Sequence, residues 1–294
     1  MFKANHPSTI INNPYYFLYH ARKFLGFTFI ELIIAMILGL LLTELIFSIY
    51  ITNQKNDLLQ QALNDIQDNA NNSISQLNSA LHHAGNIGCG HLSENFPIVS
   101  YRDYSVSMSN KITGNDNALT IRFMDYSTVL LKSPMQDHST LYTSNETPFT
   151  PGDILIISNC NQAEIFQLAS ISSSATQQKL ISQQPLHYLY QPYAEIGRLI
   201  INKYYIDKTN RRNPDGSSIY ALYTENIFHQ KSELVEGIHH MQVTYSLIEN
   251  NYSIDFHARD IIDWSMVAGV NIDLTLLSPP LIKHWYTTVI LHNE

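Results

Sequence analysis

Three groups of residues in this sequence have types and spacings that could do chemistry. Thirteen histidines include the adjacent pairs His82-His83 and His239-His240. Neighbouring residues point to different faces of a helix or strand, so neither pair is a ready chelate and no metal site is expected. Two cysteines, Cys89 and Cys160, are compatible with one disulfide or with two unrelated thiols. The third group is a single carboxylate, Glu31, inside an otherwise apolar run. At membrane depth such a group costs about 2.5–3.5 kcal/mol and calls for a partner. A bland alternative is a glutamate near a helix N-terminus, held there by the macrodipole. The Asp- and Asn-bearing loops at 113–118 and 213–217 do not match the spacing of an EF-hand and read as turns. His-Glu-x-x-His, Cys-x-x-Cys, phosphate-binding glycine loops and Gly-x-Ser-x-Gly are all absent from the sequence, so no catalytic residue, cofactor or enzymatic activity is expected.

The elements that must position these groups begin with the first fifty residues. Residues 1–26 carry Lys3, Arg22 and Lys23 and no acid. From Phe27 to Ile51 the chain is apolar apart from Thr28, Glu31, Thr43, Glu44 and Ser48. Those 25 residues suffice for a bilayer, which takes about 20 in a helix. Basic residues before the span hold that end in the cytoplasm, so the rest lies across the membrane, where disulfides persist. Glu44 either pairs with another subunit or reaches toward the outer headgroups. After Asn53, Leu59, Leu63, Ile66, Ala70, Ile74, Leu77 and Leu81 recur at helical spacing, and no proline interrupts 27–96. One helix over 27–84 is expected, its outer half presenting an apolar stripe to a sheet or to a partner helix, and Gly85 and Gly88 provide the stop. Strands are expected at 118–124, 153–158, 163–171, 198–206, 218–224, 241–248, 267–277 and 286–292. The fold class is α+β: a long N-terminal helix, transmembrane over 27–52 and amphipathic over 53–84, packed on an antiparallel β-sheet head at 85–294. A net charge of -8 argues against nonspecific nucleic-acid binding.

No small-x-small cleavage site follows the apolar run; a glycine precedes it instead. The segment Gly26-Phe27-Thr28-Phe29-Ile30-Glu31 resembles the class III signal of type IV prepilins. Within that family the head resembles the PilW-type minor pilins, through Ala84-Gly85-Asn86-Ile87-Gly88-Cys89-Gly90, the 153–160 and 162–167 segments, 234–245 and 287–289. The resemblance spans 26–292, with two departures: His82-His83 at the helix exit and a long leader of 26 residues. It implies that a prepilin peptidase cuts between Gly26 and Phe27 and methylates the new amine of Phe27. It implies that Glu31 is an assembly residue, neutralising the terminal amine of a neighbouring subunit. It also implies a disulfide between Cys89 and Cys160.

The expected protein is then a minor pilin that helps to initiate a type IV pilus and is incorporated in it. Removing the three leader cations takes the formal charge from -8 to -11. Expected partners are other minor pilins, the major pilin, the peptidase and the inner-membrane assembly platform, with the head in the periplasm before it reaches the pilus. Alternatives are a minor pseudopilin of a type II secretion system, a tip adhesin, and a single-pass membrane-anchored enzyme or sensor that keeps residues 1–26.

Overall fold

The computed structural model describes residues 28–93, 96–100, 110–143, 147–174, 176–213, 216–249 and 252–291. They form one long helix followed by strands that pair almost entirely antiparallel, compatible with an α+β fold. The chain divides into two compact units, Met1–Asn56 and Asp57–Glu294.

Helix α1 runs over Phe29–His82. Leu, Ile, Ala and Asn/Gln dominate it, and its one glycine, Gly39, has open space around it. In the first unit every described residue from 28 to 50 is exposed, and this stretch is long and apolar enough to cross a membrane. In the second unit the same helix buries Ala62, Ile66, Ala70, Ser73, Leu77, Ala80 and Leu81. This corrects the expected stripe: Leu59 and Leu63 flank the contact, each 37% exposed, and Ala62, Ser73 and Ala80 occupy it. Small side chains let the helix backbone approach the strands closely, a preference that counting large apolar residues does not reveal. Ser73 is buried at no loss because its hydroxyl donates to the Asn69 carbonyl at 2.6 Å.

The strands follow as β1 (Asn86–Ile87), β2 (Gly90–His91), β3 (Ile98–Ser100), β4 (Ile112–Asn115), β5 (Ala118–Met124), β6 (Val129–Leu130), β7 (Thr140–Thr143), β8 (Ile154–Asn159), β9 (Gln162–Ser173), β10 (Gln178–Ser182), β11 (Glu195–Arg212), β12 (Ser218–Glu225), β13 (Lys231–Glu236), β14 (Ile238–Glu249), β15 (Tyr252–Phe256), β16 (Val267–Ser278) and β17 (Leu281–Ile290). They are not one sheet. The larger assembly has the order β13-β12-β11-β8-β9-β10-β7, with β4, β5 and β6 joining through β11. In it β3 pairs with β9 in parallel, a departure from the all-antiparallel expectation. A separate four-stranded sheet has the order β15-β14-β16-β17. The expected strand at 286–292 begins earlier, at Leu281, because the whole of β17 follows β16 in register from Ser278↔Leu281 to Gly269↔Ile290.

Three apolar clusters hold the second unit. The largest joins α1 (Ile66, Ala70, Leu77, Leu81) to Leu119, Ile121 and Leu222 of one sheet and to Val243, Tyr245, Ile272 and Leu274 of the other. A second lies under β7–β10 and includes Leu141, Leu155, Phe166 and Tyr190. The third surrounds the helix exit, with Ile87, Leu92, Met124 and Ile156.

Burial of phenols gives a pH prediction. Tyr190, Tyr204 and Tyr245 are all buried. Their pKa values are pushed above the ordinary 10.0, first by desolvation, and then by the Glu164 carboxylate for Tyr190 and the Asp116 carboxylate for Tyr245. A raised folded-state pKa means that the native chain holds these protons after the unfolded chain has released them. Their contribution is therefore complete below pH 10 and is lost as pH rises through the raised values. In an alkaline titration followed by phenolate absorbance, Tyr190 and Tyr245 stay silent at roughly pH 11 and appear together on adding urea. Smooth ionisation of all tyrosines in the native state would contradict this burial.

Candidate functional site: the helix start and the stapled helix exit

The two ends of α1 carry the residues singled out by sequence. Gly26 and Phe27, the expected cleavage and methylation positions, lie outside the described residues. Glu31 sits in the first turn. Thr28 precedes the helix and donates to Glu31 Oε2 twice, through its backbone N–H and its hydroxyl, both at 2.9 Å. The Glu31 N–H faces the Thr28 hydroxyl at 3.4 Å. This is the reciprocal arrangement of a capping box, in which Ser or Thr at the N-cap and Glu three residues on satisfy each other's orphan donors. The sequence carries the signal for it in Thr28-x-x-Glu31, a local role for Glu31 beside those of ion-pair and macrodipole residue. Both bonds end on Oε2; among the described residues Oε1 has no hydrogen-bond partner. The carboxylate can therefore cap its own helix and still accept a cation.

At the other end the chain leaves α1 through Gly85, with φ +82. Any side chain there would meet Lys111 Cβ at 2.8 Å, so the left-handed backbone and the space both require glycine. The Gly85 N–H donates to the Arg122 carbonyl, and its own carbonyl accepts from Leu92, both at 2.7 Å. This ties the exit to β5. Between these bonds lies the hairpin β1–β2, paired Ile87↔Gly90, with Gly88-Cys89 as its two-residue loop. Gly88 has φ +83, as the first position of such a loop demands. Asn86 Oδ1 accepts from the Gly88 N–H at 3.0 Å and closes the turn.

Cys160 occupies the matching place in a second hairpin. Strands β8 and β9 pair Asn159↔Gln162 around the loop Cys160-Asn161. There Asn159 Oδ1 accepts from the N–H groups of Asn161 and Gln162, each at 2.9 Å. Cys89 and Cys160 form a disulfide with their Cα atoms 5.0 Å apart, well inside the range the bond tolerates. The bond joins two turn tips, and both cysteines are solvent-exposed. Their separation of 71 residues means that the helix exit is covalently held to the strand pair β8–β9.

Nearby, β9 buries a carboxylate that sequence reasoning passed over. Glu164 is 3% exposed. It accepts from the His187 N–H at 2.7 Å, His187 Nδ1 at 3.0 Å and the Tyr188 N–H at 3.3 Å. The group fixes the loop after β10 rather than facing a cavity, which makes it a structural anchor. The histidine pairs separate as their spacing requires: His83 packs against Tyr126 with ring centroids 4.9 Å apart, and His239 packs edge-on against Tyr220 at 4.7 Å. Among the described residues no three His, Cys, Asp or Glu side chains converge as metal ligands would. No family model, curated protein or solved structure matches this chain.

Proposed function

We propose that this chain is a minor pilin of a type IV pilus, made as a precursor and anchored by α1 until it is assembled. The observation that carries the reading is the division of one continuous helix. Its first half is apolar and exposed, and its second half is docked through Ala62, Ile66, Ala70 and Leu77. An exposed apolar surface of that length needs either lipid or other apolar helices around it. A subunit that moves from a bilayer into a helical bundle meets both in turn.

Glu31 fits the same scheme. The Oε1 atom left over from the capping box would take the methylated amine of Phe27 on a neighbouring subunit, a pair strengthened by low dielectric. Other minor pilins and the major pilin would supply the surrounding helices. The peptidase would act on the cytoplasmic side, and the inner-membrane platform would extract the processed chain with its head in the periplasm. The disulfide suits an extracytoplasmic compartment.

Intact mass of the membrane-extracted protein tests the reading, with and without a co-expressed prepilin peptidase. The expected product begins at Phe27, is heavier by one methyl group and requires the peptidase; Gly26→Val abolishes it. A chain that retains residues 1–26 in both samples would sink the proposal and leave an anchored extracytoplasmic protein of another kind.

A further inference from the structure

The sheet β15-β14-β16-β17 turns one face to the main core and the other to solvent. Directly opposed residues on neighbouring strands place their side chains on the same face, so the register fixes the outer face row by row. Gln242, Asp273 and Tyr286 form one row, and Thr244, Asn271 and Thr288 form the next. These six line a groove of about 400 Å³, within the size range of ligand sites.

Half of this array is already ordered. Thr288 donates to Asn271 Oδ1 at 2.7 Å, and Asn271 Nδ2 donates to Ser246 Oγ at 3.0 Å. Ser246 in turn donates to Asp255 Oδ1 at 2.6 Å. The relay crosses all four strands and ends on a carboxylate, which fixes the direction of every donor. The other half is idle. Among the described residues the side chains of Gln242 and Thr244 have no hydrogen-bond partner. Asp273 Oδ1 is closed off without a hydrogen bond, 3.7 Å from His284 Nδ1. A carboxylate turns easily about χ2, so a donor entering the groove can satisfy that oxygen. Tyr286 stands over the row, 71% exposed.

The chemistry of the array decides what fits it. Neither row contains Lys or Arg, and Asp273 would repel a phosphate or an acidic sugar. A protein interface has an apolar centre and a polar rim; here the centre is polar and Ile248, Ile282 and Ile290 lie at the margins. Amide, hydroxyl and carboxylate groups beside an exposed ring match a ligand with hydroxyls on its edge and C–H bonds on its face. We infer that the outer face of this sheet is a binding site for a neutral oligosaccharide. Sugar hydroxyls donate to Asp273 and accept from Gln242 and Thr244, while a pyranose ring stacks on Tyr286. The inference does not depend on the pilin reading, since it concerns the second unit alone.

Calorimetric titration of the full chain in detergent micelles with malto-, cello-, xylo- and chitohexaose tests it. Saturable binding to at least one of them is expected. Tyr286→Ala and Gln242→Ala should each weaken that binding by about tenfold or more, while Tyr286→Phe retains most of it and the unfolding temperature of each variant stays unchanged. Absence of binding by every sugar, or binding that Tyr286→Ala leaves intact, would overturn the inference. So would a change of oligomeric state in these variants without any sugar binding, which would make the face a contact between copies.

Discussion

Replacing Cys160 with Ser will lower the stability of the second unit by about 4 kcal/mol, the chain-entropy value for a loop of this order. The bond closes 71 residues, from the tip of β1–β2 to the tip of β8–β9. Both hairpins have their own turn bonds from Asn86 and Asn159, so their local geometry survives the substitution. The loss therefore falls mainly on the unfolded chain, which gains the freedom of an open loop. Cys89→Ser and the double variant should match Cys160→Ser in the midpoint of urea unfolding. Because both cysteines lie in exposed turns, a dithiol reductant acting on the folded wild-type protein should produce the same midpoint without prior denaturation. A wild-type midpoint that reductant leaves unmoved, with thiol assay showing both cysteines free, would mean that the staple contributes nothing.

Leu77→Ala is the second large effect. Leu77 is fully buried in the cluster that joins α1 to both sheets. Truncation there removes the transfer energy of three heavy atoms and leaves a cavity that two sheets and a helix cannot easily close. Such changes cost about 2–5 kcal/mol. Leu58→Ala is the matched control: Leu58 is 61% exposed on the same helix, and alanine is at least as good a helix former. Denaturant unfolding of the two variants in the same micelles should separate them by most of that amount. Equal midpoints would show that the outer half of α1 is not docked as described.

The helix was the most legible element, because an unbroken absence of proline and a 3.6-residue period are local properties. Its exit was legible too, in Gly85 and Gly88, although the helix itself ends at His82 rather than at 84. Strand β5 occupies 118–124 as expected, and the turn at Cys160 falls between the expected strands 153–158 and 163–171. What escaped was non-local. Strand β13 (Lys231–Glu236) is an edge strand whose Lys231, Glu233 and Glu236 face solvent and its neighbours' charges, so it lacks an apolar pattern. The division into two sheets depends on β11 choosing β5, β8 and β12, which no local pattern encodes. Glu164 lies in an apolar strand, and nothing in Ala163-Glu164-Ile165 shows that its oxygens meet the backbone of His187 and Tyr188. The outer-face array of Gln242, Asp273 and Tyr286 was invisible for the same reason: it exists only once β14, β16 and β17 are in register.

Strand β11 sets how the second unit comes apart. Over its length it pairs with β8 and β6 at Glu195–Arg198, with β5 at Leu199–Tyr205 and with β12 from Lys203 onward. It also reaches every apolar cluster, burying Tyr204 in the largest, Ile196 in the second and Leu199 in the third. No cluster can open alone without stripping β11 of partners that the other two require. The unit should thus open as one cooperative block rather than as separable foldons, and the amides of β11 should be the last to exchange with solvent. Fraying is left to strands that touch a single cluster, such as β7 and β17.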